Sequence, residues 1–190
     1  NNTIFYRNWV VGCYNGSMIL TFNSSFHNNN ASAITFSDRS YGYIGSTYFT
    51  SNFGITSVKD IDYISTIDVS NSNFTNNTGT VLWVKNNSSV NIFHSLLTEN
   101  INFQILVKEV SSLFVRDSVV NNNSASGSAM SFLNKSKMLL TKSKFEHNKV
   151  RKHLVAGKNH SNINITECIF IGNSATTGVI RIEEFSHLFI

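Results

Sequence analysis

Two sets of residues in this 190-residue sequence have the types and spacing for active-site chemistry, one acidic and one imidazole. Asp60 and Asp62 stand two apart, which on an extended strand puts both carboxylates on one face. Asp68 follows shortly and Arg39 precedes them. Clustered carboxylates with a basic neighbour, often with calcium, are the apparatus of polysaccharide lyases and hydrolases. The same residues also make an ordinary charged turn, and nothing comparable recurs nearby to build a groove. His27, His94, His147, His153, His160 and His187 fall mostly in expected turns and at unequal intervals, without metal-ligand spacing. There is no phosphate-cradling glycine loop and no nucleophile elbow. Trp9 and Trp83 could stack on sugars, although Trp83 falls at a core-phase strand position where burial is the expectation. The sequence therefore names no catalytic residue, metal ligand or cofactor.

A third set invites modification rather than catalysis. Asn-x-Ser/Thr acceptors begin at Asn1, Asn15, Asn23, Asn30, Asn73, Asn76, Asn86, Asn87, Asn122, Asn134, Asn159 and Asn164. Such acceptors carry glycans on exposed loops of secreted proteins, although Asn and Ser are also simply good turn residues. Asn164 is the odd one, because it lies mid-strand between Ile163 and Ile165, where it should point outward. Cys13 and Cys168 are far apart and show neither a disulfide framework nor a metal spacing.

The elements that must position these residues follow from composition and period. Hydrophobic residues make up 41% of the chain and mean hydropathy is −0.07, which suits a folded core. Proline is absent and only 14% of residues are charged, so the polar surface is mostly Asn, Ser and Thr. The formal charge is +4, but the cations are scattered apart from Lys149, Arg151, Lys152 and His153, which read as a solvated turn rather than a nucleic-acid footprint. No apolar run is long enough to span a membrane, and the chain opens on Asn1-Asn2-Thr3 without a charged and then apolar leader.

A Ser/Thr-x-Phe-x-x-Asn motif recurs along the whole chain. Its closing residue is Asn8, Asn29, Asn52, Asn77, Asn100, Asn123, Asn148 or Asn173, in steps of 21 to 25 residues. Three positions earlier stands a bulky apolar group, Phe5, Phe26, Phe49, Phe74, Leu97, Val120, Phe145 or Phe170. Two before that stands a small residue, from Thr3 and Ser24 to Ser143 and Cys168. Alternating stretches such as Ile67-x-Val69 and Val90-x-Ile92 precede the motif, and others such as Ile34-x-Phe36 and Val81-x-Trp83 follow it. Period-two apolarity in so short a repeat predicts two or three strands per coil and no helix. The fold class expected is all-β, a right-handed parallel β-helix solenoid of about eight coils forming one domain over residues 1–190. Coils stacked at about 4.8 Å would line equivalent side chains into ladders. Four of the acceptors, Asn15, Asn86, Asn134 and Asn159, each lie fourteen residues before their coil's ladder Asn, which predicts a row of glycans along one edge.

With its Phe-x-x-Asn repeat and the small-then-apolar step after it (Ala33-Ile34, Ser128-Ala129-Met130, Gly178-Val179-Ile180), the chain resembles the repeats of chlamydial polymorphic membrane proteins and their protist relatives. The first motif is relaxed at Leu97 and Val120, and the Gly-Gly-Ala-Ile type partner motif is badly degraded. The resemblance covers the whole chain and implies a secreted or surface-exposed β-helix. It carries over no catalytic residue.

The two ends also match. The closing His187-Leu188-Phe189-Ile190 repeats the pattern of Asn162-Ile163-Asn164-Ile165, and Asn1-Asn2-Thr3 would continue it in register. With no capping helix at either end, the expectation is an uncapped solenoid whose partner is itself, head to tail as a homopolymer, or further coils of the same chain. The function expected is an extracellular structural β-helix from a eukaryotic secretory pathway, bearing covalent N-glycans and stacked into a fibril or long stalk. A surface adhesin or carbohydrate-binding β-helix segment is the alternative, and a polysaccharide-active enzyme the third.

Overall fold

The computed structural model describes residues 3–6, 11–30 and 33–190, with side chains described except at 5, 6 and 54–61. Asn1, Asn8 and Trp9 lie outside the described residues, as do the side chains of Phe5 and Asp60.

Every strand pairs in parallel with its equivalent one coil away, and the strands form three sheets. Sheet A holds the Phe motif in eight three-residue strands, among them Ser25–His27, Asn73–Thr75 and Ile169–Ile171. Sheet C holds the alternating stretch upstream of the motif, also in eight strands, from Met18–Phe22 to His187–Phe189. Sheet B, of eleven strands, lies between them in chain order and includes Thr78–Val84 and Ile101–Lys108. The chain therefore winds A, B, C once per coil through eight coils, as the period required.

The interior is a set of columns. Phe26, Phe49, Phe74, Leu97, Val120 and Phe145 are fully buried one above another on sheet A, in unbroken register. Where the column is aromatic the rings stack: Phe26 on Phe49 at 5.0 Å, Phe49 on Phe74 at 4.6 Å, and Phe145 on Phe170 at 4.8 Å between centroids. Sheet C adds buried pairs in the expected phase, such as Ile67 with Val69 and Val90 with Ile92. Gly42 breaks that series for a steric reason, since a Cβ there would sit 2.4 Å from the Phe36 ring. In the last coil Phe170, Ile180, Ile182 and Leu188 are only partly covered.

Sheet B corrects one expectation. Trp83 is not core. Register shifts flank Thr80 and Leu82, so Leu82 and Val84 turn inward, Val81 is also buried, and Trp83 faces out. Its ring lies 5.8 Å from Lys85 Nζ and 5.7 Å from Lys108 Nζ, and Nε1 is buried with no hydrogen-bond partner among the described residues. A bulge of this kind shifts the inward-outward alternation, which a strict period of two does not anticipate.

Candidate functional site

Three turns separate the sheets, and each carries a buried polar column. At the turn after sheet A stands the ladder asparagine. The Oδ1 of Asn100 accepts from both the backbone N–H and Nδ2 of Asn77, at 2.9 and 3.0 Å, while its own Nδ2 donates to the Phe74 carbonyl at 2.9 Å. The same triad joins Asn52 to Asn77 and Asn123 to Asn148. Each side chain therefore satisfies a backbone donor and a backbone carbonyl that the bend removes from the sheet ladders.

At the turn before sheet A stand Ser24, Thr47, Ser72, Ser95, Ser118 and Ser143, all buried. Each hydroxyl donates to the carbonyl two residues back, and those of Ser72, Ser95, Ser118 and Ser143 accept from the backbone N–H one coil below. Cys168 takes the next slot, its thiol donating to the Thr166 carbonyl at 3.4 Å. Burial raises its pKa above the ordinary thiol value, so it stays protonated at neutral pH. Cys13 and Cys168 are both free, one in the first coil and one in the last.

The turn between sheets B and C holds a third column that the motif analysis missed. Ser40, Ser65, Ser88, Ser111, Ser136 and Ser161 are buried there. Ser65, Ser88 and Ser111 Oγ accept from the N–H of Ser40, Ser65 and Ser88 at 3.1 to 3.2 Å, and Ser186 Oγ accepts from Ser161 N–H at 2.9 Å. Each of these serines follows two consecutive residues with positive φ: Asp38 and Arg39, Tyr63 and Ile64, Asn86 and Asn87, Glu109 and Val110, Asn134 and Lys135, Asn159 and His160, Glu184 and Phe185. The signal was present in the sequence as a serine at a constant offset, without the bulky partner that made the Phe motif visible.

This turn accounts for the row of acceptors. Asn15, Asn86, Asn134 and Asn159 occupy the first left-handed position, which asparagine tolerates better than most residues, and the serine two residues on is the column residue. The shared offset is a property of the turn. Asn15, Asn134 and Asn159 are exposed, whereas Asn86 is half-buried and donates through Nδ2 to Asp62 at 2.6 Å. Asn23, Asn76, Asn87 and Asn122 also have positive φ at turns. Asn30 is exposed, Asn73 half-buried in a sheet A strand, and Asn164 exposed in a sheet C strand with Ile163 and Ile165 buried on either side, the outward orientation expected of it.

Asp62 and Asp68 do not converge. Asp62 is buried at the turn between sheets B and C, ion-paired with Lys85 at 3.0 Å and accepting from the Tyr63 N–H. Asp68 lies instead on the outer face of sheet C, where Tyr41 Oη and Asn91 Nδ2 donate to it at 2.8 and 2.7 Å. The Tyr41 hydroxyl is held above its ordinary pKa, chiefly by that bond to Asp68. Arg39 is exposed at a left-handed turn position. These carboxylates are occupied with structural partners on two different parts of the coil. Among the histidines, His94, His147 and His160 lie at turns, whereas His27, His153 and His187 depart from the turn expectation as strand residues, and His153 is buried within 3.2 Å of Thr177 Oγ1 and the Gly178 carbonyl. Among the described residues, no three His, Cys, Asp or Glu side chains group to hold a metal ion, and no helix is long and apolar enough to cross a membrane.

The outer face of sheet C exposes apolar side chains. Met18, Leu20 and Phe22 are exposed at its first coil, and farther along Phe114, Leu139 and Phe189 line an open groove of about 460 Å³.

One comparison with known proteins agrees with this architecture. The family model for the right-handed β-helix region matches residues 9–170. No curated protein matches the chain. Among solved structures, a trypsin-treated form of QnrB1, a plasmid-mediated fluoroquinolone resistance protein, aligns over 92% of each chain with 10% identity and a TM-score of 0.31.

Proposed function

Since the chain belongs to the right-handed β-helix family, we propose that it serves a mechanical end: an extracellular, N-glycosylated structural rod, continued head to tail by coils of the same register into a fibril or stalk. The observation that carries this reading is the unbroken stacking of its polar and apolar columns. Each coil presents to the next the acceptor oxygens, the unpaired strand edges and the apolar row that the next requires, so every coil templates its neighbour. The partly covered Phe170, Ile180, Ile182 and Leu188 are the same kinds of side chain that are fully buried lower in the stack. The left-handed turns project Asn side chains on loop edges, where glycans would hinder lateral pairing of neighbouring rods. The Phe-x-x-Asn likeness to chlamydial polymorphic membrane proteins and their protist relatives supports a surface location.

Purification from a eukaryotic secretory host, followed by negative-stain imaging and intact-mass measurement before and after glycosidase treatment, tests this function. Filaments and a mass loss on treatment are expected. A glycan-binding protein that stays monomeric would favour the adhesin reading, and an unchanged mass would remove the glycoprotein reading.

A further inference from the structure

The apolar groove on sheet C contains its own candidate occupant. Along one outward column Asp68, Asn91, Phe114, Leu139, Asn164 and Phe189 stand in register on successive parallel strands. Asn164 therefore has Leu139, 37% exposed, on one side and Phe189, 57% exposed, on the other, each about 4.8 Å away strand to strand. Phe114 continues the groove and is held edge-on by Phe93 at 5.4 Å. Asn164 also begins the acceptor Asn164-Ile165-Thr166. Thr166 Oγ1 donates to Asn164 Oδ1 at 3.1 Å, and Asn164 Nδ2 has no partner among the described residues. The turn acceptors stand at corners of the coil with positive φ, whereas Asn164 is set on a strand between two exposed apolar side chains.

We propose that Asn164 carries an N-linked glycan whose first N-acetylglucosamine lies on the groove formed by Phe114, Leu139 and Phe189. The chemistry fits both partners. A β-linked N-acetylglucosamine has an apolar C–H face that covers aromatic and aliphatic side chains, while its hydroxyls and acetamide reach the rim at Lys137 and Asn162. Covering the strip removes apolar surface from water and withdraws a flat sheet face from association with other chains. The linkage leaves one N–H on Nδ2, and the Thr166 bond to Oδ1 persists, so the amide plane stays fixed while the sugar is attached.

The inference rests on the chain being a secreted glycoprotein, and its test separates the two ideas. The chain is produced in a eukaryotic secretory host and mapped by peptide mass. Thermal midpoints are then compared for the wild type, Asn164→Gln, the double variant Leu139→Ser/Phe189→Ser, and that double variant carrying Asn164→Gln. Glycan at Asn164 is expected, with a fall of about 2–4 °C on Asn164→Gln in the wild-type background and a fall of less than half that in the double variant. An unmodified Asn164 beside occupied turn acceptors overturns the inference and leaves the glycoprotein reading standing. Glycan at no site overturns both. An occupied Asn164 with equal losses in the two backgrounds overturns the contact with the groove.

Discussion

The residues that matter most here are small and polar. The side chain of a ladder asparagine in this fold makes four hydrogen bonds at a buried bend, and Asn100 is fully buried while doing so. Replacing it with alanine removes the acceptor of the Asn77 N–H and the Nδ2 donor to the Phe74 carbonyl, while Asn77 Nδ2 keeps its bond to the Phe49 carbonyl, and an unsatisfied buried group costs about 1–3 kcal/mol. Asn100→Ala is therefore expected to destabilise the chain by several kcal/mol, comparable with the ~3–5 kcal/mol cost of Phe74→Ala. Urea denaturation of both variants measures this, and an Asn100→Ala cost below 1 kcal/mol would refute the column's structural weight. The opposite sign is expected at Val110, a β-branched residue held at φ 66 in an exposed turn. Left-handed backbone costs such a residue about 1–2 kcal/mol, and the equivalent first-coil slot is Gly16. Val110→Gly should raise stability by about 1 kcal/mol in the same assay. Cys168 gives a chemical readout. Because burial holds its thiol protonated, alkylation should be slow at neutral pH and accelerate only above the ordinary thiol range. Fast alkylation at pH 7 would contradict its placement.

At the scale of strands and turns, side-chain size is constrained coil by coil. Gly42 leaves the space that the Phe36 ring fills, so Gly42→Ala must displace that ring or the sheet C backbone, at a cost of about 1–3 kcal/mol. A thermal midpoint equal to the wild type would show that the coil can spread. The strands and two of the three turn columns were legible in the sequence because bulky apolar groups marked them at a nearly fixed interval. Trp83 was misread because a bulge breaks the alternation on which its inward assignment rested. The third serine column went unseen because its neighbours vary from Asp to Tyr to Glu, united only by a left-handed backbone that many residue types adopt here. The grouping of Asp62 with Asp68 failed because a turn between sheets B and C separates them, placing one in an ion pair and the other on an outer face. The regular spacing of Asn15, Asn86, Asn134 and Asn159 has a backbone cause, since each takes the first left-handed position of the same turn, and occupancy is a separate question. The buried Oγ of Ser88, Ser136 and Ser161 adds a constraint. On the proposed glycosylation, transfer at Asn86, Asn134 and Asn159 would have to precede coil closure. Folded, unmodified protein should therefore not be glycosylated at these sites by an oligosaccharyltransferase, whereas the unfolded chain should be.

For the whole molecule the consequence of repetition is a rod whose stiffness comes from main-chain ladders running along its axis. Each sheet is continuous from the first described coil to the last, so bending requires ladder bonds to stretch in at least one sheet. The interaction a coil makes with its neighbour is nearly the same everywhere, and stability then grows with the number of stacked coils. Self-stacking would extend the same interface beyond one chain. The direct measurement is electron microscopy of the protein, produced in a eukaryotic secretory host, at high concentration. End-to-end stacking predicts filaments one coil wide with an internal spacing of about 4.8 Å and a longer repeat of about 38 Å, eight coils at that spacing. Separate particles no longer than that repeat, unchanged as concentration rises, would contradict it.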